Sequence, residues 1–499
     1  MRRTLFLLPA ATVALVTTLA FAPPAQAGAP ATPGSVTSVT SRPGPGVGEI
    51  TFTWVQNGSN TTGYVLRTAL SSWSDTDPNM NRTGRNQQSL PISRSLRTLT
   101  LSSAQVAAVG APVASGNHVY FRFAAVNSNS SGTATKNYPY LRAMLPRPMP
   151  ASTTAGKIRV ASFNVRTARA TSDARSWLQR APDVAGQIVK YQPGIVALQE
   201  LGPGRADGQT GTLDGHQRQT DSLLSALDAV GGRKYDLIQS TPYVSSGTTA
   251  GTQGMRILYD NTRYTLLSNC PDTTDGRAYS PLCTVKLPIL ASDGESVRRR
   301  AAVAQFEDNA TGAEFWFVSV HLDERHSDTR ATELSYDALR KSQINTTTAA
   351  VNAANPERLP VIIGGDFNSF QNSKVLNSSH DTLIDQGYYD TSAAVTRANF
   401  QYSSINHFDL TVKAGAQGVG SRIDMILVKG AQGSTAHYNV LKVTDDARPS
   451  DHNLMLADFA PFATVPAPTS RWDSTQTSTK RRTVPSPSSP PSSSAPPTS

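Results

Sequence analysis

Six apolar runs between positions 158 and 459, each with a polar residue at one end, constrain this chain more than any other feature. They cover 158–164, 194–200, 315–321, 360–368, 422–428 and 450–459. Near-continuous apolar runs of this length suit strands buried on both faces. Helical patterns fill the intervals, at 172–191, 217–230 and 329–352, and Gly231-Gly232 supplies a helix stop. Strands that alternate with helices place the region in the α/β class. With 38% hydrophobic residues in 499, the chain can bury a sizeable core.

A polar residue at the end of a doubly buried strand faces the rim of its sheet. One rim would therefore hold Asn164, Glu200, His321, Asp366, Asn368, Asp424, Asp451 and His452. Glu200, Asp366 and Asp451 repel one another there, and a hard cation relieves that. Carboxylate and amide oxygens without sulfur suit magnesium (Mg2+) or manganese (Mn2+), and calcium (Ca2+) is also compatible. Two of the eight histidines stand beside these acids. A histidine whose far nitrogen meets a carboxylate is held in one tautomer and becomes a better base. Asp424 is the natural partner for His452. Taken alone, Gly-Asp-Phe-Asn is an ordinary turn, Asp-His an ordinary cap, and a strand-end His an ordinary structural residue. The functional reading rests on all six segments together.

In this order the segments resemble the endonuclease/exonuclease/phosphatase superfamily. The carriers are Ser162-Phe-Asn-Val-Arg-Thr167, Leu198-Gln-Glu200, His321-Leu322, Gly365-Asp-Phe-Asn368, Arg422-Ile-Asp-Met-Ile426 and Ser450-Asp-His452. The first looks most like the pancreatic-type deoxyribonuclease start. The resemblance implies a four-layer α/β sandwich, two packed mixed β-sheets flanked by helices, over 157–462. By motif position, Glu200, Asn164, Asp366 and Asp451 would shape the metal site. Asp424 would orient His452. His452 would activate the attacking water or stabilise the phosphorane-like transition state. His321 and Asn368 would hold phosphate oxygens, and His321 would also serve as the proton donor. Arg166 and Arg256 are expected substrate contacts, as is Tyr259 unless it packs in the sheet. One departure stands out: the deoxyribonuclease branch places an acid for the first His just before 255–260. Here the stretch reads Gly251-Thr-Gln253-Gly254, with Gln253 as a neutral substitute.

Ahead of this region, 28–145 carries short alternating strands at 50–54, 63–67 and 118–126, which suggest a small all-β sandwich. Trp54, Tyr64 and the run from Tyr120 to Asn127 resemble a fibronectin type III domain. Such a module binds or spaces. It has ten basic residues against three acidic ones over 28–150, whereas 151–466 has 30 against 32. A basic module could hold a polyanion. The Pro-rich stretch 146–156 reads as a stiff connector. The Ser/Pro-rich tail, 463–499, is too poor in apolar residues to fold.

The first 27 residues read as a cleaved secretory signal: Arg2 and Arg3, an apolar run from Leu5 to Phe21, then Ala25-Gln-Ala27. The run falls short of the roughly 20 residues a spanning helix needs. Export favours a disulfide between the only two cysteines, Cys270 and Cys283. A secreted, extracellular monomer is expected. The preferred substrate is nucleic acid, DNA and also RNA, with Arg166, Arg169 and Arg205 supplying backbone contacts that the acidic charge balance of the region otherwise lacks. The alternatives are a sphingomyelinase-like phosphodiesterase, a phosphatase, and a binding protein on an inactive scaffold.

Overall fold

The computed structural model describes residues 28–43, 49–69, 89–108, 118–137, 141–144, 157–169, 173, 175–231, 234–238, 254–270, 283–370, 377–394, 396–411, 414, 420–430, 436–440, 448–460 and 462. The leader at 1–27, the connector at 146–156 and the tail at 463–499 lie outside the described residues. The chain divides into two compact units, Met1–Thr464 and Val465–Ser499, and every described residue belongs to the first.

The N-terminal strands form two antiparallel sheets. Ser35–Pro43, Ile50–Asn57 and Thr98–Leu101 make one. Ser89–Ser93, Gly63–Ala69, His118–Asn129 and Gly132–Asn137 make the other, with Leu141–Met144 also paired to His118–Asn129. Alternation along Ile50, Phe52 and Trp54 sends these side chains into one core with Tyr64, Leu66 and Phe123. The Trp54 ring lies 4.7 Å from Phe123 and 5.3 Å from Tyr64.

Residues 157–462 build two seven-stranded sheets. The first runs Tyr235–Ile238, Arg256–Asp260, Ile195–Gln199, Ile158–Asn164, Leu454–Phe459, Ala436–Val440, Thr396–Ala398. The second runs Tyr264–Leu266, Arg300–Asp308, Ala313–His321, Val361–Asp366, Asp424–Lys429, Tyr389–Asp390, with Thr284–Lys286 also paired to Arg300–Asp308. Both are mixed: the central pairs, Ile195–Gln199 with Ile158–Asn164 and Ala313–His321 with Val361–Asp366, are parallel.

Three apolar layers hold the region together. Ile158, Val160, Ala197, Ile257, Phe315, Phe317, Ile362 and Ile426 fill the space between the sheets. Phe163, Val196 and Leu258 pack on Trp177, Val184 and Ile188 of the helix Trp177–Tyr191 and on Leu223 of the helix Gln219–Val230. Val318 and Ile363 meet Ile344 and Val351 of the helix Arg330–Ala354 and Leu383 of the helix Ser378–Asp385. Both strand faces are thus apolar because each faces a different layer. This is the four-layer α/β sandwich. Between the sheets Gly364 permits a close approach: a Cβ there would stand 3.0 Å from the Ala197 Cβ.

Two boundaries differ from the sequence pattern. The helix expected from about 172 begins at Trp177, after Ser176, whose backbone N–H donates to Gln179 Oε1 at 2.8 Å. The last strand begins at Leu454 rather than at 450. Ser450 Oγ donates to the Asn164 carbonyl at 2.6 Å, and Asn453 N–H donates to the Ser404 carbonyl at 2.7 Å. These bonds hold 450–453 as a loop rather than a ladder.

Candidate active site

Strand register assembles the site. In the second sheet His321 pairs with Asp366, and Asp366 pairs with Asp424. In the first, Asn164 pairs with Gln199, and Glu200 follows directly. Below this rim Gln199 is buried between the sheets. Its Nε2 donates to Ser319 Oγ at 3.2 Å, and Ser319 Oγ donates to the Leu198 carbonyl at 3.0 Å. The two sheet edges are thereby hydrogen-bonded as well as packed.

His452 donates from Nδ1 to Asp424 Oδ2 at 2.9 Å, which leaves Nε2 3.8 Å from Asp366 Oδ2. Ser404 Oγ accepts from the backbone N–H of both Ile423 and Asp424, at 3.0 and 3.1 Å, and so anchors the acid. Burial alone would depress the His452 pKa, but the charge and hydrogen bond of Asp424 outweigh it and push the value up to about 10. His321 is the opposite case. Its Nε2 lies 3.5 Å from Asp366 Oδ2, and its buried Nδ1 has no hydrogen-bond partner among the described residues. Burial, then the charges of Arg299 and His452, hold its pKa well below the usual histidine range. The two imidazoles thus approach the same carboxylate oxygen, Asp366 Oδ2, with their pKa values displaced in opposite directions. Burial, then Asp424, pushes that Asp366 carboxyl up to about 7.

The remaining acids are tied together by neutral and positive groups. Asn164 Nδ2 donates to Glu200 Oε1 at 3.1 Å and to Asp366 Oδ2 at 3.2 Å. Thr167 N–H donates to Glu200 Oε2 at 3.0 Å. Arg166 Nη1 lies 3.4 Å from Asp451 Oδ2, and its guanidinium also feels Glu200. Asn368 donates its backbone N–H to Asp366 Oδ1 and its Nδ2 to the Leu322 carbonyl. Arg166, Glu200 and Asn368 all have left-handed backbones, with φ of 59°, 58° and 48°. Non-glycine residues in that region are strained, and they persist where surrounding bonds over-determine them.

The donor set fits a hard cation. Asp366, Asp424 and His452 offer ligand atoms within 4.8 Å of one another. Asp424 Oδ1 is buried without a hydrogen-bond partner among the described residues. The Arg166 guanidinium donates to Asp173 at 3.2 and 3.3 Å and lies 3.4 Å from Asp451, so positive charge is already held beside these acids. The carboxylate and amide oxygens suit magnesium, manganese or calcium, and the imidazole of His452 is left to hold a proton.

Two sequence expectations meet the structure differently. Arg256 is expected at the substrate, but the structure gives it no exposed surface. Met255 and Ile257 point between the sheets and Leu258 points to the helices, so alternation sends Arg256 to the helix side, where it is fully buried. Tyr259 packs in the sheet, its ring 5.2 Å from Phe306. Gln253 lies outside the described residues. Sequence reasoning also missed Arg299, a buried arginine paired with the exposed carboxylate of Glu324, whose charge reaches His321. Its signal is the Arg298-Arg299-Arg300 run at a strand start. Cys270 and Cys283 are bonded as expected, with Cα atoms 5.5 Å apart. Among the described residues no helix is long and apolar enough to cross a membrane.

Residues 161–452 match the model of the endonuclease/exonuclease/phosphatase family. Solved structures offer similar chains. A protein of that family from Bacteroides vulgatus shares 21% identity, covering 60% of this chain and 98% of its own, with a TM-score of 0.44. A mannosyl-6-phosphatase from Bacteroides thetaiotaomicron shares 20%, covering 60% and 98%, with a TM-score of 0.42. The catalytic domain of human nocturnin, with bound sulfate, shares 17%, covering 61% and 94%, with a TM-score of 0.38. No curated protein matches the chain by sequence.

Proposed function

Because this chain belongs to the endonuclease/exonuclease/phosphatase family, whose members hydrolyse phosphoric esters, we propose that it is a secreted, metal-dependent phosphodiesterase cutting nucleic acid, DNA first and RNA also. The observation that carries the chemistry is the buried His452–Asp424 pair facing Asp366 and His321 across one rim. What supports the nucleic-acid reading is a partly exposed Arg166 at that rim, the Ser162–Thr167 motif, and the basic N-terminal module. The two-sheet core of Trp54, Tyr64 and Phe123 supports a fibronectin type III-like module, a spacer or a holder of polyanion. Residues 1–27 support export.

A divalent cation held by Glu200 with Asn164, Asp366 and Asp451 would neutralise the charge that grows on the phosphate oxygens. Asp424 fixes the His452 tautomer, so that Nε2 faces the phosphorus. There it takes a proton from the attacking water, or as an imidazolium it donates to the pentacoordinate transition state. Water oxygen bonds to phosphorus as the ester P–O bond breaks; His452 takes the water proton, and the leaving oxygen takes one from solvent. His321, whose burial lowers its pKa, would serve as a hydrogen-bond donor to phosphate rather than as a strong acid. Asn368 and Arg166 orient the remaining oxygens.

One assay tests this reading. Purified protein is incubated with plasmid DNA, RNA, sphingomyelin and a phosphomonoester, with magnesium and with chelator. Nicked or degraded nucleic acid is expected with magnesium and none with chelator. Survival of DNA and RNA while another ester is cleaved refutes the nuclease reading. No cleavage of any ester would favour a binding protein on an inactive scaffold.

A further inference from the structure

Arg180 lies beneath the site, in the first turns of the helix Trp177–Tyr191, and is 1% exposed. A buried guanidinium normally finds a carboxylate. This one meets backbone carbonyls instead. Nη1 donates to Val165 and to Pro449 at 2.8 Å each, Nη2 donates to Arg166 at 3.2 Å, and Nε donates to Arg175 at 3.3 Å. Its Cζ lies over the Trp177 and Phe408 rings, 5.5 and 5.6 Å from their centroids. Val165 and Arg166 follow Asn164. Pro449 precedes Ser450, Asp451 and His452. One rigid fork therefore joins the two loops that carry half of the site.

The surroundings show why a fork is needed there. The Arg166 backbone is left-handed at φ 59°, and its carbonyl also accepts from Gln219 Nε2 at 3.1 Å. The His407 and Phe408 backbones are left-handed too, at 53° and 59°, and His407 N–H donates to the Asp451 carbonyl at 3.1 Å. Two strained segments thus converge on the guanidinium, one carrying a bonded carbonyl and the other a stacked ring.

We infer that Arg180 is a positioning residue: it clamps the 164–167 loop to the 449–452 loop, and so sets the spacing of Asn164 and Arg166 from Asp451 and His452. Lysine cannot replace it, because an ammonium is a point donor without the planar fork or the ring stacking. The inference rests on the hydrolase reading only for its catalytic readout.

The test uses full-length Arg180→Lys and Phe408→Leu proteins. The second keeps the guanidinium but removes one of its two ring contacts, so it carries the test should the first fail to fold. Amide hydrogen exchange is expected to quicken in both 164–167 and 450–452, by about tenfold for Arg180→Lys, and to stay unchanged in 361–366. On whichever ester the wild type cleaves, kcat should fall by about tenfold or more and KM should move by less than about threefold. Unchanged exchange in the two loops overturns the clamp, as does an unchanged kcat in a folded Arg180→Lys protein. A wild type that cleaves no ester refutes the hydrolase reading, and the exchange result still decides the clamp.

Discussion

At the scale of single residues, the 2.9 Å contact between His452 and Asp424 should decide the rate. His452→Ala is expected to lower kcat by about a thousandfold, and Asp424→Asn by a comparable factor because it loosens the tautomer. Steady-state rates with a melting curve for each variant check this. A pH effect belongs to a different pair. Asp293 accepts two bonds from Arg325, each at 2.8 Å, and this holds its carboxyl below the usual range. A depressed folded pKa contributes stability above the unfolded value of about 3.9, and that contribution is lost as pH falls through the folded value. Arg325→Met should therefore be less stable than wild type at pH 7, and the gap should narrow toward about pH 2–3. Urea unfolding at both ends of that range reads it. Asn164, Glu200, Asp366 and Asp451 were legible because an acid or amide at the end of an apolar strand has few bland explanations in such company. The burial of Arg256 was not legible, because motif position says nothing of which face a strand residue takes.

At the scale of elements, the two sheets approach closely at Gly364, where even a Cβ would crowd Ala197. Gly364→Val is expected to destabilise the protein by about 1–3 kcal/mol, since the sheets must part to admit it. The urea midpoint measures that, and an unchanged midpoint would mean the layers are softer than their packing implies. The strand pattern was legible because burial on both faces leaves an apolar run that survives in one dimension. The start of the helix at Trp177 was not, since a cap is a local bond rather than a period. The loop 450–453 reads like strand in its residues. It became loop because Ser450 and Asn453 bond to the segments that hold Asn164 and Ser404.

At the scale of the whole molecule, the Cys270–Cys283 bond closes a separation of 13 residues. Such a crosslink restricts the unfolded chain and contributes about 3 kcal/mol. Cys270→Ser with Cys283→Ser should lower the unfolding free energy by about that amount, as denaturant titration would show, with the fold retained. The sequence by itself determined the class, the order of the six segments and the chemical character of the rim. Periodicity and residue type are local, so they can be read along the chain. Only the tertiary structure decided that Asp366 stands between two histidines and that His321 Nδ1 has no partner among the described residues. It alone turned Arg256 away from the rim, and it placed Arg180 between loops that precede and follow most of the region. Register, layer assignment and contacts across 269 residues depend on how sheets pack against each other, and no local pattern encodes that.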